Sequence, residues 1–201
     1  MFPRSAMAIV AATAAVSSSA SAAILIFTDQ FLYDINTTAY SHAMENFDSY
    51  GGAYSSPLSG SAGPVAWSAT SSGGLSVTNG WLSSGVASPM TISFGGPGVD
   101  VYGVSGNFFA TDAGGSVVPS LVLVSLNDGT SYLNLIDTST VFVGFVSTGA
   151  AISSITVSAQ PLPGGDPNVQ PTMDNLGLAY VPAPGALALL GLAGIASRRR
   201  R

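Results

Sequence analysis

The chain has 201 residues, with five Lys or Arg, ten Asp or Glu, one His and no Cys. All five basic residues stand at the two ends, Arg4 and Arg198 to Arg201, so the stretch from Ala23 to Pro182 carries ten carboxylates and no basic side chain. That excludes nucleic-acid binding, which needs Lys or Arg to neutralise phosphate, attraction to an anionic membrane surface, and, without cysteine, disulfides and the common zinc sites.

In chain order, residues 1–22 read as a secretory signal peptide. Arg4 is the positive start, Ala6 to Val16 the apolar stretch, and Ala20-Ser21-Ala22 a small-residue site for signal peptidase. Residues 23–180 form the body, and about 160 residues suffice for one hydrophobic core. Its richness in Gly, Ser, Thr and Val favours strands and turns over helices. Ala23 to Phe27 is β-prone, and Asp29 to Ser41 shows no clear period. Ala43 to Tyr50 leads into a Gly-Gly turn, and Ser55 to Gly63 reads as a loop. Strands are expected at Val65 to Thr70 and Leu75 to Thr78. Met90 to Phe94 alternates Met90, Ile92, Phe94 against Thr91, Ser93. A longer strand is expected from Val99 to Phe109.

The clearest signal is Leu121 to Ile136, two apolar runs around Asp128-Gly129, which predicts a β-hairpin. Strands at Val141 to Ser147, Ile152 to Ala159 and Met173 to Val181 follow, the last two separated by a Pro-rich loop. Eight or nine short strands without a convincing helix predict an all-β fold, a single antiparallel β-sandwich with jelly-roll topology.

Residues 181–201 stack a Pro-spaced break, an apolar run and four arginines. The run from Gly185 to Ser197 would span about 20 Å as a helix, short of the roughly 20 residues of a permanent transmembrane anchor. The arginines, Arg198, Arg199, Arg200 and Arg201, stand where positive charge holds a tail on the cytoplasmic side. With Val181, Pro182, Ala183, Pro184 and Gly185 as its motif, this segment resembles the PEP-CTERM sorting signal of exported bacterial proteins. The resemblance implies recognition by an exosortase-type membrane transpeptidase and removal of the tail. It also implies contact with the membrane only through the tail before processing, and a destination at the cell surface or in the extracellular matrix.

The body is similar to a group of proteins that carry such tails. The matching segments are Glu45-Asn-Phe-Asp48, the hairpin, Phe142-Val-Gly-Phe-Val-Ser147, an Ile-x-x-Ile-Thr-Val strand and Asp174-Asn175-Leu176. The resemblance implies a sandwich like those of carbohydrate-binding modules and a link to extracellular polysaccharide. In such sandwiches the first and last strands adjoin and are often clipped by a structural calcium. Glu45 and Asp174 are then the candidate metal ligands, with Asp48 or Asn175 adding oxygens; carboxylates without basic neighbours suit a cation that takes six to eight oxygens.

Trp67, Trp81, Tyr50 and Tyr54 are candidates for a sugar-stacking surface, though aromatic residues in a small sandwich more often pack in the core. No enzyme is expected. His42 is the one histidine and reads as solvated, no Gly-x-Ser-x-Gly elbow occurs, and nothing among the scattered carboxylates marks a glycosidase pair. The expected function is a structural or adhesive surface or matrix component. The alternative is a calcium-dependent carbohydrate-binding module.

Overall fold

The computed structural model describes residues 23–182. The signal peptide, and Ala183, Pro184, Gly185, the apolar run and Arg198 to Arg201 of the tail, lie outside the described residues. Val181 and Pro182 lie inside and close the last strand.

The described chain is all-β. Its strands are Ile24–Phe27 (β1), Ser41–Glu45 (β2), Gly52–Tyr54 (β3), Leu58–Ala62 (β4), Val65–Ser71 (β5), Leu75–Thr78 (β6) and Trp81–Ser84 (β7). Met90–Gly95 (β8), Val99–Thr111 (β9), Ser120–Leu126 (β10), Ser131–Ile136 (β11), Phe142–Ser147 (β12), Ser154–Pro161 (β13) and Gln170–Pro182 (β14) complete them. One helix, Gln30–Asn36 (α1), follows β1.

Two antiparallel sheets pack face to face. One runs β1-β12-β9-β14-β7-β6-β3, with β2 also on β14; the other runs β11-β10-β13-β8-β5-β4. The last eight strands pair as nested couples: β7 with β14, β8 with β13, β9 with β12, and β10 with β11. A double ribbon is thus wrapped so that successive couples fall in alternate sheets.

Alternation explains which side chains meet in the middle. In β10 every second residue is buried, so Val122, Val124 and Leu126 face the core and Leu121 and Leu123 face out. β5 follows the same rule, with Val65, Trp67 and Ala69 inside. β12 breaks it. Five consecutive residues from Val143 to Ser147 are buried, because its outer face is covered as well.

What covers it is α1, where a helix was not expected. Asp29 caps it, its Oδ1 accepting the Leu32 N–H at 3.0 Å. Thr37 closes it, donating its hydroxyl to the Tyr33 carbonyl at 2.9 Å. Only Tyr33 of the helix is buried, so no apolar stripe announced it. Three further expectations are corrected. Leu58–Ala62 lies within the stretch read as loop, yet it is a strand because β5 lends it a partner. Trp81–Ser84 is a strand too short to carry a pattern of its own. The count is fourteen strands among the described residues, not eight or nine.

Candidate functional site

The outer face of the larger sheet can be read row by row from the strand register. One row crosses five strands: Phe27, Gly144, Ser105, Gly177, Met44. The row below is Leu25, Val146, Gly103, Ala179, His42, and the row above is Phe142, Asn107, Asp174. The middle of this face is therefore made of Gly, Ser and Ala, with larger side chains on both sides. Small residues let a second layer approach the backbone closely.

Tyr33 of α1 fills part of that trough. Its ring lies on Gly144, edge-on to Phe27 at 6.2 Å and to Phe142 at 5.7 Å between centroids. Its hydroxyl sits over Gly103, where a Cβ would come within 2.8 Å of the oxygen. Among the described residues this hydroxyl is the one buried side-chain polar atom without a hydrogen-bond partner. Burial pushes the phenol above its ordinary range; Ser105 stands close enough to pull the other way without reaching hydrogen-bonding geometry.

Beside Tyr33 the trough stays open. A hollow of about 170 Å³ lies between Gln30, Asp34, His42, Met44 and Phe142, with Ser105 and Gly177 as its floor. A second, of about 190 Å³, shares Gln30, Met44, Ser105 and Phe142 and extends to Asn107 and Asn175. The lining combines amides, a hydroxyl and an imidazole with one carboxylate and two apolar walls. Such donors and acceptors match the hydroxyls of an uncharged ligand, and no cationic side chain is present to hold an anionic one. His42, expected to be solvated, is exposed on β2, and its Nε2 lies 3.0 Å from the Thr37 carbonyl.

The proposed metal ligands lie on neighbouring strands. β2 pairs with β14, and Glu45 stands opposite Leu176. Between Asp174 and Gly177, however, β14 bulges, with Asn175 in the left-handed region at φ 53°. The extra residue puts Asp174 on the outer face beside Asn107, while Leu176 and Glu45 face inward. The Glu45 carboxylate is engaged there. It accepts the Trp67 indole N–H at 3.2 Å and the Phe47 backbone N–H at 3.0 Å. The Asp174 carboxylate accepts two N–H groups of Asn175, from the backbone at 2.7 Å and from the side chain at 3.0 Å. Partial burial, and then the charge of Asp48, raise the Asp174 pKa, while the Asn175 backbone N–H opposes them. The Asp48 charge thus acts on Asp174, whereas Glu45 lies on the opposite face of the sheet. No group of three or more His, Asp or Glu within metal-holding reach occurs among the described residues.

Of the aromatic candidates Trp67 is buried, and Tyr50, Tyr54 and Trp81 are half-buried. Trp67 is buried, edge-on to Phe47 at 5.5 Å and to Tyr50 at 5.7 Å, and Tyr54 stands edge-on to Tyr50. Trp81 covers Phe109 at 5.0 Å. The Trp67 cluster closes the sandwich core, whereas half-buried Trp81 lies over Phe109 on the outer face of the larger sheet.

No family model, curated protein or solved structure matches the chain. Gln30, Tyr33, Ser105 and Asn107 are the site residues that sequence reading did not find. The available signal was the recurrence of Gly and Ser on strands expected to be rich in Val and Phe, at Gly103, Ser105, Gly144 and Gly177.

Proposed function

We propose that this chain is an exported, non-catalytic surface or matrix component. In this reading, signal peptidase removes residues 1–22, an exosortase-type transpeptidase processes the tail, and the sandwich serves a structural or adhesive role in extracellular polysaccharide. The observation that carries it is the segregation of charge: every Lys or Arg lies in the two terminal signals and none in the folded body. The nested strand couples support a jelly-roll reading of that body. The hydrogen-bonding trough beneath α1, which holds one carboxylate and no Lys or Arg, supports a hydroxyl-rich ligand such as a saccharide.

The sorting step is tested in a bacterium that carries an exosortase, with the full chain and its Pro182→Ala/Pro184→Ala variant. The wild-type chain is expected at the cell surface without its tail, and the variant in the membrane with the tail attached. Equal processing of both would remove the sorting reading. The adhesive step is tested by co-sedimentation with purified extracellular polysaccharide, where Asn107→Ala and Ser105→Val are expected to weaken binding.

The second reading, a calcium-dependent carbohydrate-binding module, rests on the charge of Asp48 acting on Asp174, whose strand neighbour Asn107 lines that trough. It requires the polysaccharide binding to disappear with chelator and return with Ca²⁺.

A further inference from the structure

Both sheets end in free edges; β1 is apolar but short, and the longest edge strand, β11, is apolar too. β11, the outermost strand of the smaller sheet, reads Ser-Tyr-Leu-Asn-Leu-Ile and contains no Lys, Arg or Pro to discourage pairing. Its Leu133 and Leu135 are 61% and 53% exposed. They stand opposite Leu123 and Leu121 of β10, so four leucines form one block on the outer face of the sheet edge. The edge strand β4 offers Ser59, Gly60 and Ser61 instead, and β3 and β1 have only three and four residues.

The hairpin geometry tells which backbone groups are free. The Leu126 N–H donates to the Thr130 carbonyl, which makes 126 and 130 a hydrogen-bonded couple. Every second residue of β11 then turns its backbone toward β10: Tyr132, Asn134 and Ile136. Leu133 and Leu135 turn theirs outward. The Leu135 N–H is held by the Asn134 side-chain carbonyl at 2.9 Å, a local substitute for a strand partner.

We propose that β11 is a self-association edge, pairing antiparallel with β11 of a second copy about a two-fold axis at Asn134, so that the two small sheets become one. In that register each Leu133 faces Leu135 of the other copy, and their outward N–H and C=O groups form the hydrogen-bonded couples. The two leucine blocks merge on one face. Asp137 falls opposite Ser131 of the other copy, so no carboxylate meets a carboxylate despite the ten on each body. The interface is isologous and closes on itself. A six-residue edge buries less than a standard interface, so the dimer is weak and concentration-dependent.

The full chain is examined by sedimentation velocity over a range of concentrations, beside the Leu133→Lys/Leu135→Lys variant. Both leucines are exposed, so the variant is expected to keep the thermal unfolding of the wild-type chain while its dimerisation weakens by about tenfold or more. Asn134→Cys supplies a second readout in a chain without other cysteines. The residues on the axis form a non-hydrogen-bonded couple about 4.5 Å apart at Cα, within disulfide range, so oxidation should give a covalent dimer faster than with the control Ser59→Cys. A chain that stays monomeric overturns the proposal, as does a dimer that the lysines leave intact. A crosslink from the Asn134→Cys variant to a different protein, in place of a second copy, also overturns it.

Discussion

The two sheets turn very different outer faces to their surroundings. The larger sheet has Gly103, Ser105, Gly144 and Gly177 across its middle, and a helix and a trough lie on top of them. The smaller sheet carries a row of hydroxyls over β5, β8 and β13, such as Thr91 bonded to Thr156 at 2.9 Å, and lies bare. Side-chain size at the same structural level decides between the two outcomes. Small residues expose backbone and invite a second layer, whereas β-branched hydroxyl residues fill the pleat and satisfy themselves.

The largest effect is expected where that difference is erased. A Cβ at Gly144 would lie inside van der Waals contact of the Tyr33 ring, whereas Thr156 is half-buried beside Thr91 on an uncovered face. Gly144→Val should therefore cost about 3 kcal/mol by displacing α1, and Thr156→Val about 0.5 kcal/mol. Urea titration of the full chain reads both. Equal midpoints for the two variants would mean that Tyr33 is not seated in the trough.

Next comes the end of the sandwich, where Glu45 serves the core and not the outer face. Trp67 is 2% exposed, and its indole N–H has the Glu45 carboxylate as partner. Glu45→Ala leaves that donor buried and unpaired, at a cost of about 2 kcal/mol. The loss should be the same with Ca²⁺ and with EGTA, since Glu45 and Asp174 face opposite sides of the sheet. A thermal shift with Ca²⁺ that Glu45→Ala abolishes would instead place the metal at this carboxylate.

The contrast between the faces also shows what could be read from the sequence. The hairpin β10–β11 was legible because its signals are local: Asp128-Gly129 at the turn, and apolar residues that alternate on both sides. The resemblance implied that the strand bearing Glu45 adjoins the last strand, and β2 does pair with β14, although the first strand, β1, pairs with β12. The facing of β2 and β14 was not legible, because one extra residue at Asn175 reverses it, and a bulge depends on the junction where β7 gives way to β2 along β14. The trough was hidden for the same reason. Its middle row joins residues 27, 144, 105, 177 and 44, which only the sheet register brings together. α1 left no pattern because Phe31, Leu32 and Ile35 are exposed and Tyr33 alone is buried.

A smaller effect is expected at the Tyr33 hydroxyl, which is buried over Gly103 without a partner. Removing an unsatisfied hydroxyl relieves a desolvation cost, so Tyr33→Phe should leave stability unchanged or raise it by up to about 1 kcal/mol. Loss of stability would show that Ser105 bonds the hydroxyl after all. On the smaller sheet the comparable deletion, Thr91→Val, breaks a satisfied pair and should cost a little.

The smallest effect is at Asp174, and its sign separates this body from one held by ion pairs. Partial burial, with the Asp48 charge adding, raises the Asp174 pKa in the folded state. The folded protein therefore binds this proton more tightly than the unfolded chain does. The penalty is complete above the folded pKa, shrinks as pH falls through it, and vanishes below the unfolded value of about 3.9. As pH falls from the folded pKa toward the unfolded value of about 3.9, this carboxylate's penalty shrinks and stability grows with acidity. Proteins held by Lys or Arg salt bridges lose stability over the same window, but no Lys or Arg exists here between Ala23 and Pro182. Thermal unfolding of the full chain across that range should show a rising midpoint, and Asp174→Asn should flatten the rise while leaving the Asn175 contacts an oxygen to bond. A midpoint that falls with acid, equally in both chains, would mean that the carboxylates of this body are stabilised as anions, and would return a cation to the space between Asp48 and Asp174.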